Sequence, residues 1–189
     1  MSVSQRLRLY GAEFSDRLNR TEVLVLRPLA RLRKNPCLGF FFALCSRLGD
    51  GPLWAAVALT LLLFGQRRER LAVAAASVTA VLAASFFCNL KKIVKRRRPF
   101  ELWPELTCLV RPPDRYSFPS GHTMTAFSLY GTFATLLPGY GWIFGPAAVL
   151  IGLSRVFLGA HYPSDVLAGG FLGAVLGHLV AQATLFYIG

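Results

Sequence analysis

The sequence predicts an all-α fold, a polytopic membrane helix bundle of five or six spans with an N-terminal amphipathic interfacial helix. Three observations predict it. The chain is 54% hydrophobic and only 16% charged, with a mean hydropathy of +0.47, more apolar than an ordinary soluble domain. Leu71 to Leu90 runs 20 residues without a charge, enough at about 1.5 Å per residue to cross a hydrocarbon core of roughly 30 Å. The first 35 residues interleave eight Lys and Arg with apolar residues at three- and four-residue steps, the period of a helix. The division follows from these: residues 1–50 form an amphipathic, interfacial region and residues 51–189 a membrane-embedded core.

In the N-terminal region the apolar stripe is Leu7, Tyr10, Phe14, Leu18, Thr21, Val25, Leu29 and Leu32, with Arg6, Arg8, Arg17, Arg20, Arg27, Arg31, Arg33 and Lys34 on or near the polar side. Such a helix lies in the headgroup layer or docks on the protein's own surface, and Pro28 would bend or end it. No cleavable signal peptide is expected, because no apolar core of the needed length occurs there. Asn35 to Leu48 is apolar but only about 14 residues long, more typical of an interfacial or re-entrant piece than of a span. It is the sixth span left open. The five others are Gly51 to Gln66, Leu71 to Leu90, Pro119 to Leu137, Trp142 to Leu158 and Val166 to Ile188. Their Ala and Gly content predicts close helix packing.

A net charge of +12 raises the question of a nucleic-acid partner. The basic residues lie at the ends of apolar segments and in the N-terminal arm, so anionic membrane lipid is the predicted partner and nucleic acid is not. Cys37, Cys45, Cys88 and Cys108 show no Cys-x-x-Cys spacing and predict neither a zinc site nor a disulfide framework.

Three stretches put reactive side chains at the edges of this apolar slab, where a charge is costly and therefore a functional candidate. The first is Lys91-Lys92-Ile93-Val94-Lys95-Arg96-Arg97-Arg98-Pro99, with Lys91, Lys95 and Arg98 on one helical stripe; Pro99 is expected to end the helix at Arg98. The second is Tyr116-Ser117-Phe118-Pro119-Ser120-Gly121-His122. Ser120 is a good N-cap and Gly121 allows close approach to the backbone, so the start of that helix suits an anion such as phosphate. The third is Ser154-Arg155 followed by His161 and Asp165. His161 and Asp165 stand four apart, the spacing of a nucleophile and the group that orients it. Pro163 suits the first turn of the last helix. His178, deep in the last span, reads as a packing or interhelical histidine.

Lys91, six residues, Arg98-Pro99; Pro119-Ser120-Gly121-His122; and Ser154-Arg155, five residues, His161, three residues, Asp165 together resemble the three motifs of the type 2 phosphatidic acid phosphatase superfamily. The resemblance implies an integral membrane phosphatase that hydrolyses the terminal phosphate of a lipid phosphate or isoprenoid diphosphate through a phosphohistidine, with no metal or cofactor. It implies His161 as nucleophile, Asp165 as its orienter and His122 as general acid and base. Lys91, Arg98, Arg155, Ser120 and Gly121 would bind the phosphate. Of nine acidic residues, Asp165 alone lies within a motif, and the sequence offers no carboxylate cluster for a magnesium ion.

The expected location is the cell (inner) membrane, multi-pass. If Asn35 to Leu48 does not cross, the basic arm shares a face with the site and the positive-inside rule puts both in the cytoplasm; if it crosses, the site faces outward. Two other function classes are the alternatives, the first by the same phosphohistidine that the resemblance implies and the second by the basic arm. A phosphotransferase would pass the group from a lipid donor to a lipid or sugar acceptor, and a non-enzymatic anchor would bind anionic lipid through the arm alone. The loop from Phe100 to Arg115, with Glu101, Trp103 and Glu105, is the expected substrate selector.

Overall fold

The charge-free run from Leu71 to Leu90 lies inside a 28-residue helix, Arg67–Val94, in the computed structural model, which describes residues 3–188 and the side chains of residues 16–187. In chain order the helices are α1 (Val3–Leu32), α2 (Pro36–Gly49), α3 (Pro52–Phe64), α4 (Arg67–Val94), α5 (Pro99–Leu102), α6 (Gly121–Leu136), α7 (Gly141–Phe157) and α8 (Pro163–Ile188), with a 3-10 turn at Pro138–Tyr140 between α6 and α7. No strand occurs among the described residues. Leu7, Tyr10 and Phe14 of the predicted stripe, and Arg6 and Arg8 of its polar side, lie outside the described side chains.

The helix ends follow local chemistry. Asn35 caps α2, its Oδ1 accepting from the Cys37 and Leu38 amides at 2.9 and 3.3 Å, with Pro36 in the first turn. α4 opens with a capping box in which Glu69 accepts from the Gln66 amide at 3.0 Å. It closes at Lys95, in the left-handed region at φ 53°, not at Arg98 as Pro99 predicted. The three residues that follow are extended, so alternate side chains turn the same way. Arg96 and Arg98 are buried and Arg97 is exposed.

α2 and α3 are two halves of one bent element. They meet at 50° across Gly49-Asp50-Gly51, and only as a pair are they long and apolar enough to cross a membrane. Gly51 sits at φ +143°, a conformation side chains resist. Asn35 to Leu48 and Gly51 to Gln66 are therefore one bent pair, and neither half is a span by itself. Phe42 of α2 stacks on Phe157 at 4.2 Å and Trp54 of α3 approaches Phe144 at 6.1 Å, so the pair runs antiparallel to α7. Three elements meet the length and hydropathy needed to span singly, and the bent pair makes a fourth. At 16 residues α6 is about 24 Å long, short of that requirement, and sits among α4, α7 and α8.

The closest packing is α6 on α8. A Cβ at Gly169, Gly173 or Gly177 would run into the carbonyl oxygens of Ser120, Met124 and Ser128. This is the small-residue seam of membrane helices. Thr132 ties three helices together, meeting the Thr79 hydroxyl at 3.0 Å and the Gly177 carbonyl at 3.3 Å. Outward-facing apolar residues are strongly exposed, including Phe64 at 84%, Leu167 at 73% and Phe171 at 70%. A belt of that kind fits lipid as solvent, not water.

α1 continues through Pro28 to Leu32 and docks on the bundle. The buried stripe is Asn19, Glu22, Val23 and Leu26, rotated from the apolar stripe expected from the sequence; Thr21, Val25 and Leu32 of that stripe are exposed. Val23 and Leu26 pack with Leu106, Val156 and Tyr162. Arg33 then anchors the α1–α2 link by donating to the carbonyls of Phe157 and Thr107. Because Phe157 ends α7, the N-terminal helix shares one end of the bundle with the third motif.

Candidate active site

The end of α4, the starts of α6 and α8 and the end of α7 converge at that same end of the bundle. Pro163 opens α8, which places Asp165 in its first turn and leaves His161 in the link just before it, as the sequence predicted. His161 and Asp165 are almost fully enclosed, at 1% and 0% exposure. His161 Nδ1 faces Asp165 Oδ2 at 3.5 Å, an ion-pair separation too long to count as a hydrogen bond, and Nδ1 has no other partner. On the other side of the ring, Arg98 Nη1 lies 3.2 Å from Nε2 and also donates to the Ala160 carbonyl at 2.6 Å. A guanidinium can only donate. Nε2 therefore carries its lone pair towards Arg98, and the proton of the neutral ring lies on Nδ1, towards Asp165.

The imidazole of His161 is kept neutral well below the ordinary histidine range, first by burial and then by the charges of Arg98, Arg155, Lys91 and His122. Five of the predicted site residues thus act on one another across a small space. Lys91 and Arg98 are buried, at 4% and 1% exposure. Arg155 gives Nη1 to the Ser46 hydroxyl of α2, and its buried Nε has no partner among the described residues. Arg155 and His122, with Ser46, Arg47, Asp50 and Arg111, line a cavity of about 400 Å³.

Ser120 occupies the N-cap of α6 but makes no side-chain cap bond. Its hydroxyl pairs with Thr123 at 2.9 Å and its amide donates to the Asp165 carbonyl at 3.0 Å, which joins the second motif to the third. At Gly121 a Cβ would meet the ring of Phe87 at 3.0 Å. The missing side chain there makes room for Phe87 of α4, a packing reason beside the ligand approach expected from the sequence. His178, as expected, lies away from the site and meets the Thr135 hydroxyl at 3.1 Å.

Three acidic residues and one arginine belong to this region without any motif to announce them. Asp114 bridges the two cations of the first motif, receiving Lys91 Nζ at 2.8 Å on both oxygens and Arg98 Nη2 at 2.8 Å. Burial pushes the Asp114 carboxyl up, but Lys91 and Arg98 outweigh it and hold the group below its ordinary value. Asp50, at the break between α2 and α3, pairs with His122 Nε2. Arg96 holds Asp165 Oδ1 at 2.6 Å and Glu22 Oε2 at 2.5 Å. Asp50 carried a signal: it is an acid set between two glycines inside an apolar stretch. Asp114 and Glu22 carried none, and Arg96 lay in the basic run of the first motif but off its stripe of Lys91, Lys95 and Arg98.

Comparison with known proteins places this geometry. The chain is 33% identical over 138 residues to an undecaprenyl-diphosphatase of Sulfolobus acidocaldarius, a match covering 72% of this chain and 66% of that one. It is 48% identical over 65 residues to a lipid A 1-phosphatase of Rhizobium johnstonii, covering 34% and 27%. It thus spans two thirds or less of these relatives' own lengths. Its fold is similar to the crystal structure of a transmembrane PAP2 type phosphatidylglycerolphosphate phosphatase from Bacillus subtilis, with TM-score 0.68, 24% identity and coverage of 100% and 98%. The PAP2 superfamily model matches residues 71–187, which takes in all three motifs, and the chain belongs to the PAP2 superfamily.

Proposed function

We propose that this protein is a multi-pass membrane phosphatase that hydrolyses the terminal phosphate of a lipid phosphate or isoprenoid diphosphate through a phosphohistidine. The observation that carries the reading is the state of His161. Its Nε2 lone pair faces a guanidinium at 3.2 Å, its Nδ1 faces a carboxylate, and burial among cations keeps the ring neutral. A neutral imidazole whose free nitrogen points into a cationic pocket is a nucleophile for an anionic phosphoryl group.

In the first step the Nε2 lone pair attacks phosphorus, and the bond from phosphorus to the lipid oxygen breaks. His122 protonates that leaving oxygen. Asp165 stabilises the positive charge that develops on the ring, the role of the third member of a triad. In the second step His122 takes a proton from water, whose oxygen attacks phosphorus and displaces His161, releasing inorganic phosphate. Throughout, Lys91, Arg98 and Arg155 neutralise the equatorial oxygens, helped by Ser120 and the Gly121 amide. Phosphoryl transfer asks chiefly for such positioning and charge.

The substrates named for the two relatives, undecaprenyl diphosphate and lipid A, share a phosphate at the headgroup plane, and that shared chemistry is what the site is proposed to accept. The test is phosphate release by purified protein in detergent with excess chelator, from phosphatidate, phosphatidylglycerol phosphate, lipid A and undecaprenyl diphosphate. Release that persists with chelator and vanishes in His161→Ala is the expected result. Equal release by that variant, or none from any lipid by the wild type, would remove the reading.

A further inference from the structure

Arg96 lies inside the first motif's basic run but is none of its marked residues, and it is 8% exposed. Every donor of its guanidinium is used. Nε donates to Asn19 Oδ1 at 3.0 Å. Nη1 donates to Ser164 Oγ at 2.7 Å and to Asp165 Oδ1 at 2.6 Å. Nη2 donates to Asn19 Oδ1 at 2.6 Å and to Glu22 Oε2 at 2.5 Å. The plane sits over the Tyr162 ring, with its central carbon 4.0 Å from the centroid. A planar fork held at five donors and one face has little freedom left.

Glu22 does a second job. Its Oε1 accepts from the Ser164 amide at 2.6 Å and its Oε2 from the Ser164 hydroxyl at 2.9 Å. Ser164 is in the first turn of α8, where amides lack helical partners and a carboxylate is favoured. That turn also carries Asp165, whose Oδ2 accepts from the Tyr162 amide at 2.9 Å. The two oxygens of Asp165 are thus fixed by Arg96 and by the chain before α8, and the His161 ring meets a carboxylate already set in place. Asn19 and Glu22, at 4% and 7% exposure, come from α1, outside the residues matched by the family model.

We infer that Arg96 and Glu22 are positioning residues for phosphoryl transfer, and that through them the N-terminal helix is a working part of the site. They fix the Asp165 carboxylate against His161 Nδ1, and Arg96 offsets the negative charge that Asp165 presents to the imidazole. The groups that bear on His161 are Lys91 from α4, Arg98 from the extended run, His122 from α6, Arg155 from α7 and Asp165 from α8. Four of these supply cationic or histidine groups that disfavour protonation. Among the described residues Asp165 is the one carboxylate within ion-pair distance of the ring, and Arg96 moderates it.

The inference rests on the phosphatase reading, and wild type beside His161→Ala tests that reading separately in the same assay. The variants are Arg96→Gln, Arg96→Lys and Glu22→Gln, together with the double variant Arg96→Gln with Glu22→Gln. The expected result for Arg96→Gln is a fall in kcat of ten- to a hundred-fold, with inhibition by inorganic phosphate changed less than two-fold. Its acid limb of kcat/KM should move to higher pH by at least half a unit, because an unopposed Asp165 favours the imidazolium. Arg96→Lys should restore part of kcat and return the limb towards wild type. Glu22→Gln keeps the shape of the contact and should lower kcat several-fold, and the double variant should be no worse than Arg96→Gln, as expected for two residues acting through one path. Active wild type with unchanged kcat and an unmoved limb in both Arg96→Gln and Glu22→Gln would overturn the inference. A loss of kcat in all variants with the limb fixed, and in proportion to folded protein by thermal unfolding, would reduce the network to a structural brace and overturn it as well.

Discussion

In the proposed reaction a phosphate takes the place in the first motif's cation pair that Asp114 occupies, which gives a direct test of the clamp. Lys91 Nζ and Arg98 Nη2 each lie 2.8 Å from its carboxylate, so a phosphate oxygen can reach those donors only as Asp114 gives them up. The Asp114→Asn substitution keeps the shape and removes the competing charge. The Asp114 side chain is 38% exposed, and solvent screening brings the interaction down from that of a buried ion pair to about 1–2 kcal/mol. At about 1.4 kcal/mol per factor of ten, inhibition by inorganic phosphate or vanadate should tighten roughly five- to thirty-fold in the variant. The assay is the competitive inhibition constant at neutral pH, measured against whichever lipid is hydrolysed fastest. The sign of the pH dependence follows from the depressed carboxyl: its ion pairs are complete above its ordinary value of 3.8 and are lost only as pH falls through the lower folded value. The difference between variant and wild type should therefore hold constant from neutrality down to about pH 5. Inhibition that is unchanged or weaker in Asp114→Asn would refute the view that Lys91 and Arg98 receive the phosphate.

Other outcomes follow from the same geometry. Asp50→Asn removes the carboxylate paired with His122 Nε2 and should lower kcat by roughly ten-fold, a part of the 10²–10⁴ that general acid–base catalysis contributes; wild-type turnover would show that the pair does not serve His122. His161 is held neutral below its ordinary value of 6.5, so the acid limb of kcat/KM should lie below that pH, and a limb above it would contradict the assigned environment. The same shift makes stability from this residue complete above about pH 6.5 and lost as pH falls towards the folded value. Among the described residues α1 shares the site's end of the bundle and the other end carries Arg67, Arg68 and Arg70 as its basic residues, so the positive-inside rule predicts a cytoplasmic site; Arg17→Cys in a cysteine-free background should then resist impermeant thiol reagent in intact cells, and rapid labelling would reverse the orientation.

The motif residues were legible because short spacings and helix ends determine them. Pro163 opens α8, so a separation of four carries His161 to the edge of the turn that holds Asp165. The charge-free run of Leu71 to Leu90 could only be a buried or lipid-facing helix. What stayed hidden lies at long range. Arg96 meets Glu22 across 74 positions and Asp165 across 69, and no periodicity encodes such a pairing. This pairing also explains the rotation of α1. Apolar periodicity alone favours burying Val25 and Leu32, but the polar partners Asn19 and Glu22 are drawn to Arg96, and the helix turns to bury Val23 and Leu26 instead. The end of α4 was misplaced because Pro99 limits only its immediate neighbour, whereas Lys95 breaks the helix by its own left-handed backbone. The break at Gly49-Asp50-Gly51 was written in the sequence as two glycines around an acid; a reading by segment length divided it into a short piece and a span.

The carboxylates absent from the motifs have a common physical reason. Buried cations that await an anion must be neutralised in its absence, since an unpaired charge in this environment costs several kcal/mol or more. Asp114 does this for Lys91 and Arg98. Arg155 differs from the other motif cations: it has a hydroxyl partner in Ser46, no carboxylate within ion-pair distance among the described residues, and an Nε with no partner. It therefore has the most to gain from a phosphate oxygen, and it lines the 400 Å³ cavity through which one would arrive. An order of events follows for the proposed reaction. The phosphate meets Arg155 first, where nothing has to be displaced, and its charge then draws Lys91 and Arg98 away from Asp114. Arg98, whose Nη2 meets Asp114 and whose Nη1 lies 3.2 Å from His161 Nε2, joins that clamp to the proposed nucleophile.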